Sequence, residues 1–146
     1  MNNQPVDTHY EDRVRASFAN QKFLKTLAAT LGRIQPGDVE IEAPFKKKLT
    51  QQDGFLHAGV IAALVDTACG YAAYSLMPAG SRILSVEFKI NMLSPAIGER
   101  FLARGRVIKS GKTLTVCEGK LYAYLADKKR LIAVMQATMI CVYGGT

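Results

Sequence analysis

The sequence predicts an α+β fold in which an antiparallel sheet curls around one long buried helix. Three observations carry this. Residues 51–77 are a polar, Gly-containing turn followed by a run of small apolar residues that leaves almost no polar side on a helix. The segments after Arg82 alternate apolar and polar residues, as half-buried strands do. Every connection after Ser81 is short, so consecutive strands run antiparallel. At 146 residues the chain has the size of one domain, here 1–146, with an N-terminal helical lid over 1–35 and a core over 38–143.

In chain order, Met1 to Asp7 is a polar terminus. Tyr10 to Leu31 reads as helix, with Val14, Phe18, Phe23, Leu24, Leu27 and Leu31 at mostly three- to five-residue intervals. Asn20-Gln21 is a place for it to split. Gly32 and Pro36-Gly37 close the segment. Phe18, Phe23 and Leu27 are candidates to cover an apolar pocket. Asp38 to Lys46 alternates Val39, Ile41, Ala43 and Phe45 against charges, a first strand.

The central helix follows and ends at Pro78-Ala79-Gly80. Arg82 to Met92 sets Ile83, Ser85, Glu87 and Lys89 against Leu84, Val86, Phe88 and Ile90. Ser94 to Gly98 is a turn. Arg100 to Lys109 is the third strand, and Ser110-Gly111-Lys112 is a tight hairpin. Thr113 to Leu125 and Arg130 to Tyr143 are the fourth and fifth strands, giving a five-stranded (or six-stranded) sheet.

One acid, Asp66, lies inside the apolar helix. A carboxylate in a core costs several kcal/mol unless it is paired, hydrogen-bonded or protonated. It also argues against reading the helix as a membrane span, since a charge at mid-span is expensive. His57 precedes it by nine residues. On a helix that is about half a turn out of phase and about 13 Å of rise. One chain therefore cannot bring both to one reacting atom. If they cooperate, they do so across a two-fold axis.

The pattern Gln51-x-x-Gly54-x-x-His57-x-Gly59-x(6)-Asp66, with Ser94-Pro95-x-x-Gly98 downstream, resembles the hotdog-fold acyl-CoA thioesterases of the PaaI type, including the 4-hydroxybenzoyl-CoA thioesterases. The resemblance spans roughly Val39 to Val142. It implies a hotdog fold and hydrolysis of an acyl-CoA to free acid and CoA. It implies Asp66 as nucleophile or general base, with Gln51 and Ser85 near the acid and water, and His57 at the thioester end. Ala58 stands where the family has the first of two glycines. Alanine keeps its N–H, so Ala58 and Gly59 at the helix start are the candidate oxyanion donors, provided Ala58 needs no positive φ. The resemblance also implies a homodimer that pairs into a tetramer.

The net charge of +7 favours anionic partners. The cations are dispersed apart from Lys46-Lys47-Lys48 and Lys128-Lys129-Arg130, without interleaved aromatics, which disfavours nucleic acid. The phosphates of CoA suit the sign. The hairpin Lys109-Ser110-Gly111-Lys112 is the leading candidate for them, with Arg106, Arg104 and Lys89 behind it. Cys69, Cys117 and Cys141 are an odd number in apolar segments, and residues 1–8 do not read as a signal peptide. Reduced thiols in a cytoplasmic protein are expected, with no membrane partner. Two histidines without a Cys-His cluster give no zinc site, and no cofactor is expected beyond the CoA of the substrate. Two other classes fit the same fold: a non-catalytic acyl-CoA-binding sensor or adaptor, and, more weakly, a dehydratase acting on acyl carrier protein.

Overall fold

A computed structural model describes residues 4–144. Two short helices, α1 (Tyr10–Ala19) and α2 (Lys22–Thr26), lead into strands β1 (Thr30–Gln35) and β2 (Asp38–Pro44). A single 3-10 turn at Lys47–Leu49 precedes the long helix α3 (Ala58–Tyr74). Four strands follow: β3 (Arg82–Met92), β4 (Arg100–Ser110), β5 (Leu114–Leu125) and β6 (Lys128–Val142). All pairings are antiparallel, in the order β1-β2-β4-β5-β6-β3. The sheet wraps α3, as the hotdog reading predicts, and it has six strands.

The sixth strand is β1, within the segment read as a helix to Leu31. The helix stops at Thr26, and Ala28 turns the chain with φ of 54°. The register of β1 on β2 shifts between Leu31 and Ile34. That irregularity breaks the period-two pattern, leaving Leu31 and Ile34 three apart and helix-like in spacing. The last hairpin is also tighter than expected, because β6 already begins at Lys128.

Alternation in β3 is interrupted as well. Its register on β6 shifts between Ser85 and Glu87. Residues directly opposite one another share a face. Ser85 faces Met139, Phe88 faces Ala137 and Ile90 faces Met135, all three partners buried. Ser85, Phe88 and Ile90 therefore lie on the helix side together, not on the opposite faces that strict alternation assigns.

The helix is seated by two glycines. Gly105 of β4 and Gly119 of β5 are direct cross-strand partners. A Cβ on Gly105 would lie 2.2 Å from the Ala68 carbonyl carbon, and one on Gly119 would lie 2.3 Å from Val65 Cγ1. Strand backbone packs on helix backbone at Gly105 and on helix side chains at Gly119, and this fixes α3 over the middle of the sheet. Arg13 ties α1 to the other end of α3. Its guanidinium donates to the carbonyls of Tyr74 (3.2 Å), Met77 (2.6 Å) and Pro78 (2.8 Å). A cation on the last carbonyls of a helix complements its dipole. Among the described residues no helix is long and apolar enough to cross a membrane.

Candidate active site

His57 caps α3. Its backbone is extended (φ −62°, ψ 138°) and its Nδ1 accepts a hydrogen bond from the Gly59 N–H at 2.8 Å. An accepting Nδ1 carries no proton, which leaves Nε2 as the ring donor, without a partner among the described residues and on an exposed side chain. A Cβ on Gly59 would come within 3.0 Å of that Nδ1, so glycine suits this cap. The Gly59 N–H is thus engaged by the imidazole. The Ala58 N–H has no partner among the described residues. Ala58 is the first helical residue and its φ is not positive, so the change from the family's glycine keeps the donor unstrained.

Asp66 is half-buried in the middle of α3, and its Oδ1 accepts from Ser85 Oγ at 2.9 Å. Burial pushes its carboxyl above the ordinary value near 3.8, and the Ser85 hydrogen bond opposes that in part. Helix and strand meet here because the bulge after Ser85 turns its side chain inward.

Gln51 sits apart from the acid in this chain. Its Oε1 accepts from the backbone N–H of Asp53 and, at 3.4 Å, of Phe55, while its Nε2 donates to Asp53 at 3.2 Å. Its amide holds together the turn that leads into α3. The helix start lies about 12 Å of rise from Asp66. The chain thus joins Asp66 to Ser85 and His57 to Gly59, and keeps the two pairs separate.

The hairpin cations share an end of the sheet with Ser85. Ser85 pairs with Met139, Met139 with Thr115 and Thr115 with Ser110. Three strand spacings put Ser110 about 14 Å from Ser85. Lys109 and Lys112 are exposed at this tip, and the Gly111 N–H closes it on the Leu114 carbonyl at 2.9 Å. Lys89 is exposed and donates to Asn91 at 2.7 Å. Arg106 reaches Glu118 only at 4.0 Å, and Arg104 is held by Asp38.

A cavity of about 330 Å³ opens beside Asp66. It runs along α3 past Thr67, Gly70 and Tyr71 to Tyr74, between β3 and α1. Its α1-side wall is Ser17 and Gln21, a pair that the spacing of apolar residues did not single out. The apolar residues expected there lie elsewhere. Phe23 is 56% exposed, while Leu27 is in the core. Phe18 packs on Tyr71 with ring centroids 5.9 Å apart.

Comparison with known proteins identifies the family. The sequence model of the thioesterase superfamily matches residues 53–124. A thioesterase family protein from Silicibacter pomeroyi is 48% identical, with 92% of this chain and 99% of that chain covered and a TM-score of 0.91. A thioesterase enzyme of Staphylococcus aureus is 29% identical over 82% of this chain and 97% of its own, with a TM-score of 0.76. Its solved forms include a Glu-to-Ala and a Gln-to-Ala variant at positions 15 apart. Human acyl-coenzyme A thioesterase 13 is 36% identical over 58% of this chain, and the match spans 61% of that relative's length. The chain belongs to the thioesterase superfamily, as a hotdog-fold thioester hydrolase.

Proposed function

We propose that this chain hydrolyses acyl-CoA thioesters, with Asp66 as general base. The observation that carries the reading is the Asp66 carboxylate itself. It is half-buried, raised in pKa, oriented by Ser85 and placed at the opening of the cavity. A base works best with a pKa raised toward the operating pH. With Oδ1 held by Ser85, Oδ2 remains to take a proton from water. The water oxygen bonds to the thioester carbon, the C–S bond breaks, and the CoA thiolate leaves and takes up a proton. Two comparisons support the reading. The human relative's name specifies acyl-coenzyme A. The residues altered in the staphylococcal enzyme have the spacing of Gln51 and Asp66, which are also 15 apart.

The oxyanion donors come from a second copy in this proposal. Strand β3 is an edge strand of 11 residues, with Leu84, Val86, Phe88 and Met92 each 42–58% exposed. A long apolar edge left open invites pairing. Antiparallel pairing of β3 with β3 of a second copy sets the Ser85 end of one chain against the Met92 end of the other. The start of α3 lies toward that Met92 end, since the Leu56 N–H bonds the Ala96 carbonyl just beyond β3. The partner's Ala58 N–H and His57 Nε2–H would then face the thioester oxygen, and Lys109 and Lys112 would hold CoA phosphates. The dimer of dimers is an extension of this assembly.

The test is release of CoA thiol from a chain-length series of acyl-CoAs by wild-type protein and by Asp66→Asn. A fall in kcat of about 10² or more, with CoA binding retained, is expected for a removed general base. Binding without thiol release in the wild type would favour a sensor or adaptor. Undiminished turnover by a folded Asp66→Asn dimer would reject Asp66 as the base.

A further inference from the structure

The cavity beside Asp66 has a polar wall. Tyr71 is 3% exposed. Its hydroxyl lies 3.2 Å from Ser17 Oγ and accepts from Gln21 Nε2 at 3.2 Å. The rings of Phe18 and Tyr74 flank Tyr71 at 5.9 and 6.3 Å. Gln21 and Ser17 both line the cavity. Gln21 is half-buried; its Oε1 accepts no hydrogen bond from a described residue, and one amide proton of its Nε2 remains after the bond to Tyr71.

We propose that Ser17, Gln21 and Tyr71 form the specificity end of the acyl pocket and select acyl groups that carry a hydroxyl or carbonyl oxygen near their distal end. This rests on the thioesterase reading above. Tyr71 lies five residues beyond Asp66, about 7.5 Å along the helix, roughly the reach of a six-carbon chain. A hydrocarbon tip placed there strips water from the Gln21 amide and the Ser17 hydroxyl and returns nothing. A polar buried group left without a partner is costly, and a site built around such groups rejects analogues that lack the matching oxygen. A hydroxyl tip donates to Gln21 Oε1 and restores the bond. The wall is held in position, because Arg13 anchors α1 to the end of α3 through three carbonyls.

The experiment compares hexanoyl-CoA with 6-hydroxyhexanoyl-CoA. The wild type is expected to prefer the hydroxylated substrate about tenfold or more in kcat/KM. Gln21→Leu and Tyr71→Phe are expected to bring the ratio toward one. A wild-type ratio near one overturns the proposal without requiring any variant to fold. A ratio unchanged in folded Gln21→Leu overturns it too. If neither substrate is hydrolysed, the hydrolase reading fails on its own. The pocket is then decided by calorimetry with two unreactive thioethers, S-hexyl-CoA and S-(6-hydroxyhexyl)-CoA. Tighter binding of the hydroxylated thioether supports the polar wall, and equal affinity refutes it.

Discussion

Ser85 Oγ donates to Asp66 Oδ1 at 2.9 Å, joining the edge strand to the central helix at the one acid in that helix. The bond favours the charged carboxylate, while burial favours the neutral acid and prevails.

Ser85→Ala removes the opposing influence, so the folded-state pKa of Asp66 rises further. A base must be deprotonated to act. The acidic limb of the kcat/KM profile is therefore expected to move to higher pH, with a smaller loss above it. Rates measured from acid to neutral pH check this, and an unmoved limb would take Ser85 out of the site.

Asp66→Asn has a second signature, in stability. A carboxyl whose folded pKa is raised binds its proton more tightly when folded. Wild-type stability is thus lost as pH rises from about 3.8 through the raised value. The Asn variant carries no such penalty. Its melting temperature is expected above wild type at pH 7, by about 2–4 °C per kcal/mol relieved, with the gap shrinking below pH 3.8. A gap constant across pH would mean that the charge is not its source.

Charges placed on the β3 edge test assembly. Val86→Lys with Phe88→Lys is expected to give a monomer by sedimentation and to lose about 10² or more in kcat/KM, the scale of a lost oxyanion donor. An active monomer would show that one chain completes its own site.

Lys109→Ala with Lys112→Ala is expected to raise KM for CoA thioesters roughly 3- to 30-fold with kcat little changed, the scale of two exposed ionic contacts. Thioesters truncated before the nucleotide should not respond. Equal losses on both substrate types would place CoA elsewhere.

The glycine seat predicts unequal outcomes at two paired positions. Gly105→Ala drives a Cβ into the Ala68 backbone, which cannot yield, and is expected to prevent folding. Gly119→Ala meets the side-chain ends of Val65 and Cys69, a milder overpacking of about 1–3 kcal/mol. Adding Val65→Ala should restore part of the loss. Melting curves rank the three, and an unperturbed Gly105→Ala would refute the close seat.

Much of this was legible in the sequence, and the exceptions have a common cause. The buried helix, its acid and five of the six strands follow from periodicity and turn residues. The hairpin at Gly111 was also visible as a turn. Strand β1 and the inward turn of Ser85 relative to its neighbours were not, because both sit at register shifts where alternation fails. The glycine seat was hidden differently. Gly105 and Gly119 each look like a weak point in a strand, and their meaning appears only when they pair under the helix. Ser17 and Gln21 carry no periodic signal, since a polar residue on a short helix usually faces water and Gln21 lies in the turn between α1 and α2. All three cysteines are buried and unpaired, as their apolar segments suggest, and burial raises the thiols of Cys69 and Cys117, Cys117 to about 12.

The Arg13 anchorage makes the chain modular. One wall of the cavity is encoded before residue 22 and is tied to the end of the central helix in part through backbone carbonyls, which every sequence possesses. On the proposed role of that wall, exchanging the leading segment between related chains, with the arginine kept in register, is expected to change the acyl preference while leaving Asp66 and Ser85 in place.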